Sequence, residues 1–307
     1  MHMLYEISDG KAVACDLTEA KPTGEETYLG FLRAEEAEAA LAKFGYGAHA
    51  FTPADQSGHM LLENRDGYDF MRVHIPHHKI IPTHDTALVY QNKSSIFFLS
   101  DKAELLHKLR HILIEVEGTH LAFDRALYTF FEKFTVFDVG FFDELEQEIS
   151  EMEDALIESQ KRNFVREIIA LRKRLAPLKR HYEQLLNVLD ELQENENGLL
   201  NEGGLRYFRI FSSKAERHYH SILNLRDYVT QVREAYQSEV DIDLNNIMKV
   251  FTVITAIFLP LSLIVGWYGM NLQMPEFAWP YAYPMVIILS IAVVGFCIGY
   301  FKKKKWF

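Results

Sequence analysis

The sequence predicts an α+β cytosolic domain followed by a long stalk helix and two C-terminal transmembrane helices. Three observations predict it. Short β-prone runs crowd residues 1–100, and helical periodicity then persists almost unbroken to Tyr268. Two stretches, residues 250–275 and 277–301, contain no Asp, Glu, Lys or Arg, and Glu276 alone divides them. Each is longer than the about 20 residues a helix needs to cross a hydrocarbon core of about 30 Å.

Taken in order, residues 3–8, 11–17, 68–74, 86–90 and 95–99 read as strands, parted by Asp-Gly, Pro and Asn-Lys-Ser turns. Residues 35–44 form an Ala-rich helical piece between them. Asp101 is placed to cap a helix through Val116, and Thr119 to cap the next. From Asp138, a third cap, to about Glu196 the chain reads as a helical pair bent near Asn163 or Pro177. Asn195-Glu196-Asn197-Gly198 ends the pair, and Gly203-Gly204 reads as a second break. Beyond it only Pro260 interrupts a helix over residues 205–268. At 1.5 Å per residue that helix is roughly 95 Å long, too long for a monomeric globule, so it must pass from cytosol into bilayer.

The resulting organisation is a mixed α/β domain (1–100), a helical region (101–204), a stalk helix (205–249) and a pore-lining first span (250–270). An outer loop (271–280), a second span (281–301) and a basic cytosolic tail (302–307) follow. Lys249 precedes the first span and Lys302–Lys305 follow the second, with no Lys or Arg in the loop. This charge pattern places both ends in the cytosol. Trp267, Trp279, Tyr281, Tyr283 and Trp306 fall at the expected interfaces with the lipid bilayer. The expected location is a plasma membrane or cell inner membrane, spanned twice. The first 30 residues lack the basic start and apolar run of a signal peptide, so insertion falls to the C-terminal helices.

A net charge of −11 argues against nucleic acid, which needs a basic face, and suits divalent cations as clients. Cys15 and Cys297 are too few for a disulfide framework and fit a reducing compartment. Charge is also sorted along the helical pair. Eight acidic residues lie between Asp143 and Glu158, and eight basic ones with only Glu167 between Lys161 and Arg180. The two faces either pair with each other or leave an acidic surface that collects divalent ions.

The long helix carries a stripe with a seven-residue repeat. One row holds His220, Asp227, Glu234, Asp241, Met248, Thr255, Ser262 and Gly269, and its companion Asn224, Gln231, Ser238, Asn245, Thr252, Leu259 and Gly266. This spacing puts all fifteen on one face of a gently supercoiled helix, where an ordinary coiled coil would place Leu, Ile and Val. Below residue 245 the stripe reads equally well as a solvated face. Inside the span, small and polar residues either pack helices or line water. The continuity of the stripe favours a water-filled axis enclosed by several copies, with Met248 and Leu259 as apolar constrictions.

The first span ends Gly266-Trp267-Tyr268-Gly269-Met270-Asn271, followed by Met274-Pro275-Glu276-Phe277, a last span and a lysine-rich end. Asn245-Asn246-Ile247-Met248-Lys249-Val250 stands where the helix enters the membrane. With this arrangement the chain resembles the CorA family of magnesium, cobalt and nickel transporters, sharply over residues 240–307 and in architecture elsewhere. The resemblance implies a funnel-shaped homopentamer, with self as partner, and Gly269, Met270 and Asn271 as the selectivity motif. Asn271 would meet the ion through its hydration shell. The pore would pass Gly266, Ser262, Leu259, Thr255, Thr252, Met248 and Asn245, and Tyr268 would brace the motif. It also implies closure when magnesium fills carboxylate sites between cytosolic domains. Residues 207–213 offer no carboxylate, leaving Asp227, Glu234 and Asp241 as regulatory candidates.

The residue types suit that cargo. Mg2+ dehydrates reluctantly, so a pore does best to hydrogen-bond its outer waters. The Asn271 side chain, glycine carbonyls and the Ser262 and Thr255 hydroxyls are suitable acceptors, whereas a carboxylate ring would hold the ion too tightly. Glu276 concentrates cations at the mouth. Membrane potential supplies about 4.6 kcal/mol per 100 mV for a divalent ion. No cofactor is implied, and no Gly-Lys-Ser/Thr phosphate loop is present. Mg2+ enters as substrate and as candidate regulatory ligand. The rivals are a zinc-transporting relative, a coiled tether, and a membrane-anchored zinc enzyme built on His74-Ile75-Pro76-His77-His78 and His84. The last lacks a His-Glu-x-x-His helix or clear general base.

Overall fold

The computed structural model describes residues 3–8, 11–22, 26–47, 58–77, 84–116, 122–137, 139–158, 164–271, 274–304 and 306. The chain forms two compact units, Met1–Val232 and Arg233–Phe307.

In the first unit, seven strands form one sheet: β1 (Met3–Ser8), β2 (Lys11–Cys15), β3 (Thr27–Leu32), β4 (Leu61–Arg65), β5 (Tyr68–Pro76), β6 (His84–Gln91) and β7 (Ser95–Leu99). Their order is β2-β1-β3-β7-β6-β5-β4. Among the described residues only β3 and β7 pair in parallel, and every other neighbouring pair is antiparallel. Helix α1 (Ala34–Lys43) supplies Ala37, Ala40 and Leu41 to a core with Tyr28, Phe70, Tyr90 and Phe97. On β3 and β7, Phe31 stacks on Phe98 at 5.8 Å, and Phe98 meets Phe130 at 5.0 Å. The central strands are therefore covered on both sides, and β7 is buried along its whole length.

Two strands escape the sequence reading. In β3, Gly30 interrupts the β-prone pattern, yet its place is set by packing: a Cβ there would lie 2.3 Å from the Phe97 ring. Strand β4 is a charged edge, Leu-Leu-Glu-Asn-Arg, of the kind that discourages further pairing and reads locally as loop. Other boundaries shift by a few residues: the expected strand 11–17 stops at Cys15, and β5 and β6 extend to Pro76 and from His84.

The helices follow. Lys102, not Asp101, stands at the N-cap of α2 (Ala103–Arg110), with no side-chain cap hydrogen bond, and the chain continues as a π-helical turn over His111–Val116. Thr119, Asp138 and Asn163, named as caps or a bend, lie outside the described residues. Helix α3 is Phe123–Phe134, α4 Val139–Ile157 and α5 Phe164–Glu194, which runs on through Pro177. Arg174 of α5 donates to Glu148 of α4 at 2.5 Å. Tyr228 reaches Glu153 at 2.6 Å and Tyr219 reaches Glu183 at 3.0 Å, so part of the sorted charge is spent on helix pairing.

Asn195 and Gly198 adopt left-handed φ values of 50° and 60°, which ends α5 as expected. Gly203-Gly204 does not break the chain, because α6 (Glu202–Tyr268) begins ahead of both. In the second unit, the rest of α6 is followed by a 3-10 turn (Pro275–Ala278) and α7 (Ala282–Lys303). Both α6 and α7 contain segments long and apolar enough to cross a membrane.

Candidate ion pathway

The second unit pairs the apolar part of α6 with α7. Val253 of α6 and Phe301 of α7 are 5% and 7% exposed, the most enclosed side chains among the described residues of this unit. The Cys297 thiol lies 3.7 Å from the Ala256 carbonyl, a close approach that a small side chain permits. Lys249, Ala256, Ile257, Pro260, Leu261, Ile264 and Tyr268 continue the partly covered side of α6 at helical spacing.

One position back along the helix, about 100° round, lies the stripe. Asn245, Thr252, Thr255, Ser262, Gly266 and Gly269 are all exposed. Met248 and Leu259, the two large apolar members, are 63% and 69% exposed. Thr252 and Thr255 donate their hydroxyls to the Met248 and Phe251 carbonyls at 2.8 and 2.9 Å. That local bond satisfies each hydroxyl proton and leaves oxygen lone pairs free to accept from water. No Asp, Glu, Lys or Arg interrupts the stripe between Val250 and Asn271.

At its end the helix closes through the Gly269 amide, which donates to the Val265 carbonyl at 2.8 Å. A Cβ on Gly269 would stand 2.8 Å from that same carbonyl oxygen, so only glycine fits this exit without a shift. Met270 and Asn271 follow, both exposed. Leu272 and Gln273 lie outside the described residues. Glu276 is exposed in the 3-10 turn, where its carbonyl accepts from the Trp279 amide at 3.0 Å.

The three regulatory candidates are exposed and apart from one another on α6. Asp227 lines a cleft with Arg172, Lys173 and Arg226, a basic setting that opposes a bound cation. Glu234 and Asp241 have no hydrogen bond or ion pair among the described residues. Across the described residues no three His, Cys, Asp or Glu side chains gather closely enough to hold a metal. The histidine-rich segment forms no such group either. His77 turns to Asp85 at 3.4 Å, His74 stacks on His84 at 3.9 Å, and His78 lies outside the described residues.

The sequence reading missed the α6–α7 seam. The stripe marks one face of this segment, but every other face is apolar, so nothing singles out the side that carries Val253, and the small Ala256 opposite Cys297 is the one local signal.

Known proteins are similar to this chain in sequence and fold. The family of CorA-like Mg2+ transporter proteins matches residues 72–303. The cobalt/magnesium transport protein CorA of Thermotoga maritima is 32% identical over 165 residues, 53% of this chain and 47% of that protein. The aligned part thus spans about half the length of that relative. The magnesium transport protein CorA of Wolinella succinogenes is 41% identical over 76 residues, 24% of each chain. The complete structure of the CorA magnesium transporter from Methanocaldococcus jannaschii superposes with a TM-score of 0.76 at 20% identity, covering 99% of both chains. With the match extending from β5 to the last turn of α7, this chain belongs to the CorA-like Mg2+ transporter family, whose members are divalent-cation transporters and not enzymes.

Proposed function

We propose that this protein conducts Mg2+ inward, driven by membrane potential, through an axis enclosed by five copies of α6. The observation that carries the reading is the uncharged, exposed stripe from Asn245 to Gly269, with exposed Asn271 just beyond it, flanked on one side by the seam that α7 covers. A single copy leaves these polar and small groups facing hydrocarbon, which disfavours them; copies arranged about an axis give them water.

In that assembly the hydrated ion meets Asn271 first, with Gly269 and Met270 holding the motif at the helix exit. It then passes Gly266, Ser262, Leu259, Thr255, Thr252, Met248 and Asn245. Oxygen acceptors touch the hydration shell, so the ion keeps its inner waters and leaves readily. Leu259 and Met248 close the path by excluding water when the copies approach. Glu276 raises the local cation concentration at the outer mouth. Both chain ends lie in the cytosol, and Glu234 and Asp241 face cations on that side.

The test is Mg2+ uptake into proteoliposomes under an inside-negative potential, with wild type and Asn271→Ala side by side. Voltage-driven uptake that the variant loses while still assembling supports the reading. Zinc flux that follows a proton gradient, with no Mg2+ flux, would instead place the chain with zinc-transporting relatives. Absence of any flux from an assembled protein would leave a tether.

A further inference from the structure

Within the first unit, the segment ahead of β4, the residues just after α3, β5, β6 and α5 line a half-open cavity of about 280 Å3 that takes no part in the proposed pathway. Four histidines line it: His59, His74, His84 and His181. Arg180 and Phe137 line it too, and among the described residues no carboxylate does, although the chain carries a net charge of −11. Arg180 is exposed and forms no hydrogen bond or ion pair among the described residues.

Two of the imidazoles have protons assigned by their partners. The Met60 amide donates to Gln184 Oε1 at 3.2 Å, which fixes the amide group and makes Gln184 Nε2 the donor to His59 Nδ1 at 2.9 Å. Neutral His59 therefore keeps its hydrogen on Nε2 and offers it as a donor. His181 Nε2 lies 2.6 Å from the Thr135 carbonyl, which can only accept, so His181 Nδ1 retains its lone pair. Burial pushes the His181 and His74 imidazoles down to about 4, so both are neutral at pH 7.

Metal does not suit this arrangement. The His74 and His84 rings are stacked 27° from parallel, so their nitrogens do not converge on one point. The described lining residues carry flat ring surface, one fixed donor, one fixed acceptor and a guanidinium with no partner among the described residues. Its volume lies just below the about 300–1,000 Å3 of most organic-ligand pockets, so only a small ligand left partly open to solvent fits.

We propose that the cavity binds a purine mononucleotide, its base against the imidazoles and Phe137 and its phosphate on Arg180. A purine offers an exocyclic amine or ring N–H to His181 Nδ1 and ring nitrogens to His59 Nε2–H, and it stacks on flat rings. The phosphate supplies the anion that Arg180 recognises.

Calorimetric titration of the full chain in detergent, with AMP, adenosine, inorganic phosphate and Ni2+ as separate probes, tests this without reference to transport. AMP is expected to bind saturably, and adenosine about tenfold more weakly. Arg180→Ala should lower AMP affinity by about tenfold and leave adenosine unchanged. His59→Phe, at an exposed position that keeps the flat surface, should weaken both. Absence of AMP binding overturns the proposal, as does AMP binding that neither variant alters. Saturable Ni2+ binding that His74→Ala abolishes, with no AMP binding, would replace it with a metal site.

Discussion

Gly204 of α6 lies directly against Asp124 of α3: a Cβ on the glycine would fall 2.7 Å from Asp124 Cγ and 2.9 Å from its Cβ. The carboxylate also accepts from the Asn201 amide at 3.4 Å, ahead of the first turn of α6. The glycine is thus a contact surface between two helices, and its helix-breaking tendency is overruled by the packing around it.

Gly204→Ala should therefore destabilise the protein by about 1–3 kcal/mol, even though alanine is the better helix former by about 1 kcal/mol. Asp124 is short, and its Cβ cannot swing aside as the tip of a long side chain would. Thermal unfolding of the two forms decides the matter; an unchanged midpoint would show that α3 yields freely.

Gly269→Ala places a methyl 2.8 Å from the Val265 carbonyl and must shift the helix exit. A displacement of this kind next to Asn271 should cut Mg2+ uptake by about tenfold or more, while assembly in detergent stays intact. Gly266→Ala is the contrast, because nothing lies within 4 Å of a Cβ there within one copy. A loss of uptake in Gly266→Ala would then report crowding between copies.

Leu259→Ser and Met248→Ser replace the two apolar members of the stripe with wettable side chains. Each should raise resting Mg2+ flux several-fold, since an apolar ring closes by excluding water and a hydroxyl ring does not. Equal flux in wild type and both variants would remove these residues from the gate.

Acid should weaken the first unit through His74 and His181. Burial lowers both imidazoles to about 4, while the unfolded chain takes up those protons near 6.5. The stability gained by keeping them neutral is complete above pH 6.5 and is lost as pH falls toward 4, by at most about 1.4 kcal/mol per pH unit and group. Burial raises the Asp69 and Asp124 carboxyls, which act in the opposite sense nearer the acid end. Unfolding midpoints should therefore drop between pH 7 and 5.5, and His74→Phe should flatten that slope. A midpoint independent of pH across this window would show that the rings protonate without cost.

Glu148→Gln removes the charge that Arg174 meets between α4 and α5. Both side chains are more than a third exposed, at 47% and 39%, so screening limits the effect to about 1 kcal/mol or less. A larger drop in denaturant midpoint would mean that the sorted charges of the two helices act as a network.

Local chemistry was enough to mark the two apolar segments of the C-terminal region and the end of α5. Absence of charge over residues 250–275 and 277–301 suffices to define two candidate spans, because the hydrocarbon core sets their length. The seven-residue stripe, and the end of α5 at Asn195 and Gly198, were likewise readable from spacing and turn residues alone. Tertiary structure decided the rest. Gly30 and Gly204 look like interruptions until Phe97 and Asp124 are seen to fill the space a side chain would need. Val253 becomes the buried face only when α7 covers it, and His59, His74, His84 and His181 line one cavity only when the segment ahead of β4, β5, β6 and α5 come together. Periodicity records which side of an element differs from the others. It carries no information about contacts between segments far apart in the chain, and those contacts set both the tolerated glycines and the assembled cavity.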